Sequence, residues 1–393
     1  MNPAHTWGLA MTTNQTDAHD RRVYELSGPR DGRDMDQRYV LGRRSPVSIA
    51  NSIGCARQVA GRRFFGEQDL RALVTGAAGF IGSSIARRLV DDGHDVLGID
   101  AFTEYYDPSL KRANLVGVPT TNFRLIEEDL NTVDLETLLR DVEVVFHQAG
   151  QPGVRGSWGT QFDKYVDRNV RATQRLLEAA RESGVLRRFV YASSSSIYGD
   201  AERYPTVETD RPLPKSPYGV TKLAAEHLVS LYARNFGLPT TSLRYFTVYG
   251  PGQRPDMAFT RFLRAATMDE VIQVFGSGEQ VRDFTFIDDV VEANILAATV
   301  EHENGAVFNV AGGSQSSVND VLEMIATITG KQLATHRSAT AQGDVARTSG
   351  STDRILEALG WSASVNLESG LRAQHQWIAT IGRSVGNSAL TWD

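Results

Sequence analysis

A tyrosine and a lysine stand four residues apart in the segment Tyr218-Gly-Val-Thr-Lys222, at the start of a predicted helix. Residues at this spacing share one face of a helix. A free tyrosine has a pKa near 10, and a neighbouring ammonium favours its phenolate form. The pair could therefore act as a base. A hydroxyl from the upstream serine run, Ser193–Ser196, such as that of Ser194, could hold the oxygen that loses its proton.

A glycine-rich turn lies earlier in the chain, in the segment VTGAAGFIG at 74–82. Its glycines at 76, 79 and 82 follow an apolar, strand-like run and precede a helix-like run. Glycines permit a tight turn and close approach of a phosphate, and a helix N-terminus offers free N–H groups. With Asp100 at the end of the next strand, the pattern predicts a dinucleotide site. A nicotinamide ring would bring a second positive charge to Tyr218, whose pKa must fall by about three units, or roughly 4 kcal/mol, to reach 7.

Alternating strands and helices from residue 71 onward position these groups. The predicted strands are 72–75, 95–99, 123–126, 142–147, 188–192 and 240–245, and the predicted helices are 81–92, 108–115, 135–140, 161–183 and 218–236. This alternation predicts an α/β fold with a Rossmann-like, doubly wound parallel sheet. Ligands collect at the carboxyl ends of such strands. The residues that follow strand ends should therefore line one edge: Gly76, Asp100, Asp129, Gln148–Gly150, Ser193–Ser196 and Thr247.

The sequence pattern changes after Tyr249, where Gly-Pro and Arg-Pro steps interrupt the alternation. We assign residues 69–249 to the dinucleotide-binding domain, with 283–312 returning to it. Residues 250–282 and 313–380 are assigned to a smaller C-terminal substrate-binding lobe. Residues 1–68 are polar, rich in arginine and weakly periodic, which predicts a disordered extension, and residues 381–393 form a tail.

Composition restricts the class of protein and its compartment. The chain has 393 residues, a formal net charge of -6 with both signs scattered, and 41% hydrophobic residues. These values favour a protein with a substantial core and give no indication of nucleic acid as a partner. The single cysteine, Cys55, excludes an intrachain disulfide framework and a cysteine-built metal site, so we expect a reduced, cytoplasmic protein without a metal. No apolar run approaches the roughly 18 residues of a membrane span.

Residues from about 70 to 372 resemble the extended short-chain dehydrogenase/reductase family, in its nucleotide-sugar epimerase branch. The resemblance rests on the glycine turn, the serine run and the tyrosine–lysine pair, in that order. It implies a tightly held NAD that is reduced and reoxidised within each turnover, with Ser194, Tyr218 and Lys222 as catalytic residues. Asp100 would take the adenosine ribose hydroxyls and so favour NAD over NADP. The implied cofactor shell comprises Gly76, Gly79, Phe80, Ile81, Gly82, Asp100, Asp129, Leu130, Gln148, Ala149, Gly150, Asn169, Tyr218, Lys222 and Tyr245.

The serine run separates branches of this family. Dehydratases carry Thr-Asp-Glu there and the decarboxylases that make UDP-xylose carry a glutamate, whereas this chain has Ser195 and Ser196 without a carboxylate. Thr247 and Arg254, with the early segment Tyr105–Lys111, are most similar to UDP-glucuronate 4-epimerases. The physical argument agrees with this resemblance. The hydroxyls of Ser195, Ser196 and Thr247 can hydrogen-bond a sugar carboxylate without the repulsion that an acidic residue would impose.

The nucleotide end of such a substrate has its own candidates. By resemblance, Arg282 would bind the diphosphate, while Asp344 and Arg347 would hold the ribose and phosphate of UDP. His147 ends an apolar strand and is interpreted as a structural residue. Arg155 lies near the expected nicotinamide side, with no role assigned to it.

The sequence therefore predicts an NAD-dependent isomerase, most similar to enzymes that convert UDP-glucuronate to UDP-galacturonate through a 4-keto intermediate. The alternatives are a UDP-glucose/UDP-galactose 4-epimerase, then a UDP-glucuronate decarboxylase or a net oxidoreductase. Outside enzymes, the alternative is an NAD-binding sensor or scaffold. The family commonly dimerises through two helices, here 161–183 and 218–236, so we expect a homodimer. We expect a UDP-sugar as the small-molecule partner, and neither nucleic acid nor a membrane.

Overall fold

The computed structural model describes residues 70–340, 343–385 and 390, so the expectations for residues 1–68 and for most of the chain beyond 385 lie outside it. Seven parallel strands form the central sheet. In chain order they are β1 (Arg71–Thr75), β2 (Asp95–Ile99), β3 (Phe123–Ile126), β4 (Val144–His147), β5 (Arg188–Ser194), β6 (Thr240–Tyr245) and, after three further strands, β10 (Ala306–Val310). Their order in space is β10-β6-β5-β4-β1-β2-β3. The predicted Rossmann-like α/β fold is confirmed.

Both faces of this sheet are buried, which explains why its strands read as short apolar runs. In β1, Ala72 and Val74 join one hydrophobic cluster while Leu73 joins a second cluster on the opposite face. Side chains alternate between the faces of a strand, so a run of apolar residues supplies both. The sheet therefore needs a layer of helices on each side.

Helices supply those two layers. The helices α1 (Phe80–Asp91) and α8 (Ile287–Thr299) bury residues in the first cluster. The second cluster takes residues from α3 (Leu135–Leu139), α5 (Ala172–Glu182) and α6 (Pro217–Phe236). The helices α1 and α5 are clearly amphipathic, as is usual for helices with one face on a sheet, whereas α8 is buried over most of its length.

The order of the strands reverses between β1 and β4, which are neighbours in the sheet. From β1 the chain moves outward through β2 and β3, and it then returns to begin the other half at β4. Such a switch point leaves a crevice outside the carboxyl ends of the two strands, because their connections leave in opposite directions. The glycine turn follows β1 and the segment Gln148–Gly150 follows β4, so both flank this crevice.

Two smaller sheets lie after the central strands in sequence. One has the order β11-β9-β7, from β7 (Thr247–Tyr249), β9 (Val281–Phe286) and β11 (Ser314–Ser317), and the other pairs β8 (Ile272–Phe275) with β12 (Thr335–Ser338). Of the segment assigned by sequence to the large domain, 283–312, α8 and β10 pack in the large domain, whereas β9 pairs in the small sheet. The remaining helices are α2 (Pro108–Asn114), α4 (Phe162–Tyr165), α7 (Ala258–Met268), α9 (Val318–Thr329), α10 (Asp353–Leu359) and α11 (Leu367–Val385).

The predicted helix at 161–183 is helical throughout but not uniform. The segment Val166–Arg171 between α4 and α5 is a π-helix. Such a wide turn inside a helix is uncommon and is often found at functional sites. Asn169 lies in this segment and is buried.

Candidate active site

A cavity of about 230 Å³ opens at the carboxyl ends of β1 and β4. Every residue that the sequence analysis assigned to the cofactor shell lines it, from Gly76 and Asp100 to Tyr218, Lys222 and Tyr245. These residues lie far apart in the chain, and the parallel strands bring them to one edge. Of the remaining predicted site residues, Arg254 also lines the cavity, and the others are not part of its lining.

The glycine turn has the shape of a phosphate cradle. Gly76 has a φ of +66°, and a Cβ there would lie 2.9 Å from the backbone nitrogen of Ala149. A Cβ on Gly82 would collide with the carbonyl oxygen of Gly76. Gly79 caps α1 without a side chain, and no acidic residue occupies the first turn of the helix. The turn therefore leaves backbone N–H groups and the positive end of the helix open to an anion such as a pyrophosphate.

Asp100 lines the cavity beside the glycine turn. Its carboxylate accepts hydrogen bonds from the backbone N–H of Ala78 at 3.2 Å and of Phe102 at 2.8 Å. Phe102 has a φ of +45°, which is strained for a residue with a side chain. This strained turn fixes the carboxylate beside the glycine turn. An acid held there suits ribose hydroxyls and repels a 2′-phosphate, so these residues fit NAD.

Asn169 supports the wall of the cavity near Gly150 and Lys222. Its side-chain oxygen accepts from the backbone N–H of Gln151 at 2.6 Å, and its amide donates to the Gln151 carbonyl at 3.1 Å and to the Thr221 hydroxyl at 3.0 Å. A Cβ on Gly150 would lie 2.9 Å from the Asn169 side chain and 4.0 Å from Lys222 Nζ. The glycine therefore keeps open the space between these residues and the cofactor cavity.

Tyr218 and Lys222 project from the first turns of α6. Ser216 caps this helix by accepting from the Gly219 N–H at 3.1 Å, and Pro217 follows at the first helical position. A Cβ on Gly219 would lie 2.6 Å from the Ser196 carbonyl oxygen, so only glycine lets α6 approach the serine run this closely. The Tyr–Lys pair and the serines are thus held together by backbone packing.

Lys222 is buried and lies over the ring of Tyr191, with Nζ 4.6 Å from its centroid. Burial lowers the pKa of Lys222 to about 7, and the charge of Glu226 opposes this fall. Lys222 is therefore charged at pH values below about 7 and loses its charge above. A lysine whose pKa is near 7 gains or loses its positive charge around neutral pH, which changes the charge of the site.

The pKa of Tyr218 differs from the sequence expectation. Burial raises this pKa, while a hydrogen bond with Ser194 and the charge of Arg254 act to lower it. Burial outweighs both, because the phenolate loses water that the protein replaces only in part. The protein alone therefore does not lower the pKa of Tyr218. The positive charge of a nicotinamide ring, which the sequence analysis expected beside this tyrosine, would also be needed.

The serine run separates into residues with different environments. Ser193 points away from the turn and donates to the buried carboxylate of Glu226 at 2.6 Å. Ser194 Oγ accepts the N–H of Ser196 at 3.1 Å, which leaves its hydroxyl hydrogen free to donate to Tyr218. Ser195 and Ser196 begin the short 3-10 turn Ser195–Ile197 and are partly exposed. Neither lines the cavity, and nor does Ser194.

The other substrate candidates lie in two places. Arg254 lines the cavity and makes a two-pronged ion pair with Asp256, with N–O distances of 2.9 and 3.0 Å. Thr247 begins β7, two residues after Tyr245, and is partly exposed.

The residues expected at the nucleotide end form a separate group. Arg282 donates to Asp344 at 2.5 Å, and Arg347 bridges to Val281 through the backbone and donates to Gln315 at 2.5 Å. These contacts bring the three candidates together along β9, outside the cofactor cavity. An arginine pair beside a carboxylate is suited to a phosphate and a ribose.

His147 is fully buried and has both ring nitrogens satisfied. Nδ1 lies 2.8 Å from the Thr75 hydroxyl and Nε2 lies 2.9 Å from the Thr173 hydroxyl. Burial, followed by the charge of Lys222, lowers the pKa of His147 to about 3. It is therefore a neutral, structural residue at neutral pH. Arg155 packs its guanidinium over the ring of Phe275, 3.8 Å from the centroid.

The charged residues at or behind the site that sequence reasoning did not assign include two cations in the cavity and an ion pair behind it. Lys111 and Arg168 line the cavity, while Glu226 and Arg244 form a buried ion pair behind the serine run. The Tyr218–Lys222–Glu226 spacing of four residues is a usable signal for Glu226, since it places all three on one helix face. Lys111, Arg168 and Arg244 reach the site through contacts between segments distant in sequence, and no local sequence pattern predicts these contacts.

The comparisons with known proteins agree with this geometry. Residues 72–311 match the model of the NAD dependent epimerase/dehydratase family. The chain belongs to this family. Within it, the UDP-glucuronic acid 4-epimerase of Bacillus cereus, solved with UDP-glucuronic acid and NAD, is 40% identical, with a TM-score of 0.77 over 79% of this chain and 100% of that one.

Two further similar proteins are named for a UDP-sugar or have been solved with UDP-sugars. YtcB of Bacillus subtilis (strain 168), described as an uncharacterized UDP-glucose epimerase, is 40% identical over 79% of this chain and 99% of its own length. MoeE5 has been solved with NAD and UDP-glucuronic acid, at 42% identity and a TM-score of 0.72 over 80% of this chain and 100% of that one. It has also been solved with NAD and UDP-glucose.

Proposed function

We propose that this chain is an NAD-dependent 4-epimerase of a UDP-sugar, with UDP-glucuronate and UDP-galacturonate as the pair that it interconverts. The observation that carries the proposal is the contact between Ser194 and Tyr218 beside the NAD cavity, with Lys222 one helical turn away. This arrangement is a base with its supporting hydroxyl. The 3-10 turn after Ser194 carries the hydroxyls of Ser195 and Ser196, whereas related dehydratases and decarboxylases carry carboxylates in this turn.

The side chains have distinct roles in the proposed reaction. Tyr218 accepts the proton of the sugar C4 hydroxyl. Ser194, whose hydroxyl hydrogen goes to Tyr218 in the free protein, donates it to the C4 oxygen when the sugar is bound. Lys222 keeps positive charge beside the reacting groups at pH values below about 7. NAD, held by the residues that line the cavity, would supply reversible hydride transfer at C4. Tyr218 returns its proton to the C4 oxygen to complete the inversion.

The choice of UDP-glucuronate rests on the charge of the serine turn. A 4-keto uronate is a β-keto acid and loses carbon dioxide when its carboxylate bond aligns with the carbonyl. Ser195, Ser196 and Thr247 offer neutral hydroxyl donors that can hold the carboxylate out of that alignment. The short 3-10 turn fixes the two serines, and β7 fixes the threonine.

UDP-glucose is the second candidate substrate, and two of the relatives favour it. YtcB carries the name of a UDP-glucose epimerase, and MoeE5 has been solved with both UDP-sugars. A hydroxymethyl group could use the same three hydroxyls, since each is both donor and acceptor. The two substrates differ in charge, so a variant that removes hydroxyl donors should distinguish them.

The test is the double variant Ser195→Ala/Thr247→Val. We expect kcat/KM for UDP-glucuronate to fall by about 10²-fold, because two charge-assisted hydrogen bonds at roughly 1.5 kcal/mol each are lost. We also expect a UDP-pentose to appear among the products. Ser277→Ala, at an exposed serine of the β8–β9 loop, is the control and should match the wild type. Unchanged kinetics and product purity in the double variant would reject the assignment of these hydroxyls.

We infer further that the protein is a homodimer formed by the helical segment at 162–171 with α5 and α6. Phe162 and Val166 are four residues apart, Val220 and Leu231 are eleven apart on α6, and all four side chains are exposed. Apolar side chains repeated on one helix face favour burial against a partner. Leu231→Glu should give a monomer in light scattering, while Leu356→Glu, at an exposed leucine on α10, should leave a dimer. A Leu231→Glu dimer would reject this interface.

We also infer a cytoplasmic location. The single cysteine of the chain excludes intrachain disulfides, as expected for a reducing compartment. Among the helices that the structure describes, none has the length and apolar content to cross a membrane. Fractionation of cells that express the chain, with a cytosolic marker enzyme as reference, tests the inference. Recovery with secreted proteins would reject it.

A further inference from the structure

Asp283 is a fully buried aspartate in β9, with 0% of its surface exposed. Its Oδ1 accepts the N–H of Gly313 at 2.9 Å, and its Oδ2 accepts the N–H of Gly350 at 3.3 Å. Burial raises the pKa of Asp283 to about 6, and backbone hydrogen bonds from Gly350, Gly313 and Gly312 oppose this rise. The carboxylate is therefore ionised at pH 7. Within the described residues, its charge is balanced by these N–H groups and not by a cation.

A buried carboxylate that is held by neutral donors is costly for the stability of a protein. An apolar residue of similar size in the same place would often stabilise the fold more. Hydrogen bonds to a charged oxygen are, however, roughly twice as strong as those between neutral groups. Asp283 therefore fixes the backbone of two other segments, the turn at 312–313 and the segment 348–350, at the expense of stability. This choice indicates that the position of those segments matters to the protein.

The strand β9 lies between the two segments that Asp283 holds. On one edge β11 pairs with it, and Gln315 stands opposite Asp283 in the register. On the other edge Val281 forms a parallel bridge with Arg347. The guanidinium of Arg347 donates to the side chain of Gln315 at 2.5 Å, so Arg347 reaches across β9 to the far strand.

The carboxylate of Asp283 fastens both ends of this contact. Gly313 lies two residues before Gln315, and Gly350 lies three residues after Arg347. Each glycine donates its N–H to a different oxygen of the same carboxylate. Releasing either hydrogen bond would therefore free one side of the contact that holds the Arg347 side chain in place.

The other side of β9 carries the groups that could meet a ligand. Successive side chains of a strand point to opposite faces, so Arg282 and Asp283 lie on different faces. The Arg282 side chain is 14% exposed and pairs with Asp344, and Arg347 is exposed. Asp283, by contrast, is closed off from solvent. It can therefore affect a ligand of these arginines only by acting through the backbone.

We propose that Asp283 is a positioning residue for the nucleotide end of the substrate, because its carboxylate fixes the segment that carries Arg347 against β9. This inference rests on the proposed function, which assigns Arg282 and Arg347 to the UDP part of a UDP-sugar. Asp283 contacts neither the sugar nor the reacting atoms in this arrangement. Its removal should therefore weaken the binding of the nucleotide and leave the chemical step unchanged.

The affinity for UDP, measured by calorimetry at a fixed pH of 7.5, tests the inference. Asp283→Asn keeps the size of the side chain, but its amide NH₂ would face one of the two N–H donors. We expect UDP to bind about tenfold more weakly, the loss typical of one hydrogen bond to a charged group. We also expect KM for UDP-glucuronate to rise by a similar factor, with kcat and the content of bound NAD within about twofold of the wild type.

The matched control is Asp289→Asn, at a buried aspartate of α8. Asp289 also accepts hydrogen bonds from a distant segment, through the N–H and hydroxyl of Ser364 and the N–H of Val365. Neither Ser364 nor Val365 belongs to a candidate site. Asp289→Asn should therefore leave the affinity for UDP unchanged, and a loss equal to that of Asp283→Asn would overturn the proposal.

A double-mutant cycle with Arg347→Met distinguishes positioning from a general loss of structure. If Asp283 acts through Arg347, adding Asp283→Asn to Arg347→Met should weaken UDP binding by less than about twofold. Additive losses would overturn the proposal, as would an unchanged affinity in Asp283→Asn alone. If Asp283→Asn does not fold, Asp283→Ser takes its place under the same criteria.

The wild type separates this proposal from the proposed reaction. A wild type that binds UDP and does not epimerise UDP-sugars would reject the reaction, while the cycle would still decide the role of Asp283. A wild type that does not bind UDP would overturn the positioning role together with the nucleotide site.

Discussion

Replacing Arg244 by methionine should destabilise the protein by about 3–5 kcal/mol, the usual cost of leaving one member of a buried ion pair without its partner. Arg244 lies on β6 and Glu226 on α6, and their side chains are 6% and 3% exposed. Two guanidinium nitrogens reach the two carboxylate oxygens at 3.0 and 2.7 Å. Methionine keeps much of the arginine stem but supplies no charge.

The magnitude follows from what remains around the carboxylate. In Arg244→Met, Glu226 keeps one strong hydrogen bond, from Ser193 at 2.6 Å. The variant also loses the bonds from Arg244 to the Tyr198 hydroxyl at 2.6 Å and to the Glu208 carbonyl at 2.9 Å. A buried carboxylate with a single neutral donor is poorly compensated. Removing that charge as well, in Arg244→Met/Glu226→Leu, should therefore recover at least about 1 kcal/mol relative to the sum of the two single variants.

Urea unfolding at pH 7 of the wild type, the two single variants and the double variant measures this coupling. Arg372→Met is the control, because its partner Glu368 is an exposed residue one helical turn away, and it should cost no more than about 0.5 kcal/mol. A loss below about 1 kcal/mol in Arg244→Met, or strict additivity of the two single changes, would refute the reasoning. The ion pair would then not be what fastens β6 to α6, the helix that carries Lys222.

Three further predictions follow from the site. Tyr218→Phe should lower kcat by about 10²–10⁴-fold, the usual contribution of a proton-transfer group, while NAD co-purifies with the variant as with the wild type; equal turnover would exclude Tyr218 as the base. Gly82→Ala should lose bound NAD, measured by nucleotide release from denatured protein, because its Cβ would overlap the Gly76 carbonyl; full retention would contradict the cradle. His147 has its pKa lowered to about 3, so the unfolded chain takes up its proton first, near pH 6.5. Stability should therefore fall as the pH drops below 6.5, by up to about 1.4 kcal/mol per unit from this residue, and His147→Gln should flatten the pH dependence of urea unfolding; an unchanged slope would contradict the assignment.

The parts of the site that could be predicted are those encoded in local spacing. The glycine turn, Asp100 and the Tyr218/Lys222 pair follow from short-range patterns, since each lies at the end of a strand or on one helix face. A parallel sheet then brings strand ends together without further information. This is why the residues assigned to the cofactor shell all line one cavity.

The parts that could not be predicted depend on contacts between distant segments. Lys111 reaches the cavity because α2 is held against the glycine turn by the hydrogen bond from Asn114 to the Ala78 carbonyl. The sequence around Lys111 does not predict this contact. The pairing of Arg244 with Glu226 joins β6 to α6 across the serine run. The raised pKa of Tyr218 reflects burial, which is a property of the folded protein and not of the spacing to Lys222.

The central claim is that the chain inverts C4 of UDP-glucuronate with a cofactor that is reduced and reoxidised in each cycle. The direct measurement incubates the purified protein with UDP-glucuronate, without added NAD, and resolves the nucleotide products by chromatography, with UDP-glucose in a parallel reaction. The account predicts UDP-galacturonate, no UDP-pentose and no net accumulation of NADH. A UDP-pentose as the main product, stoichiometric NADH, or turnover of UDP-glucose with none of UDP-glucuronate would contradict it.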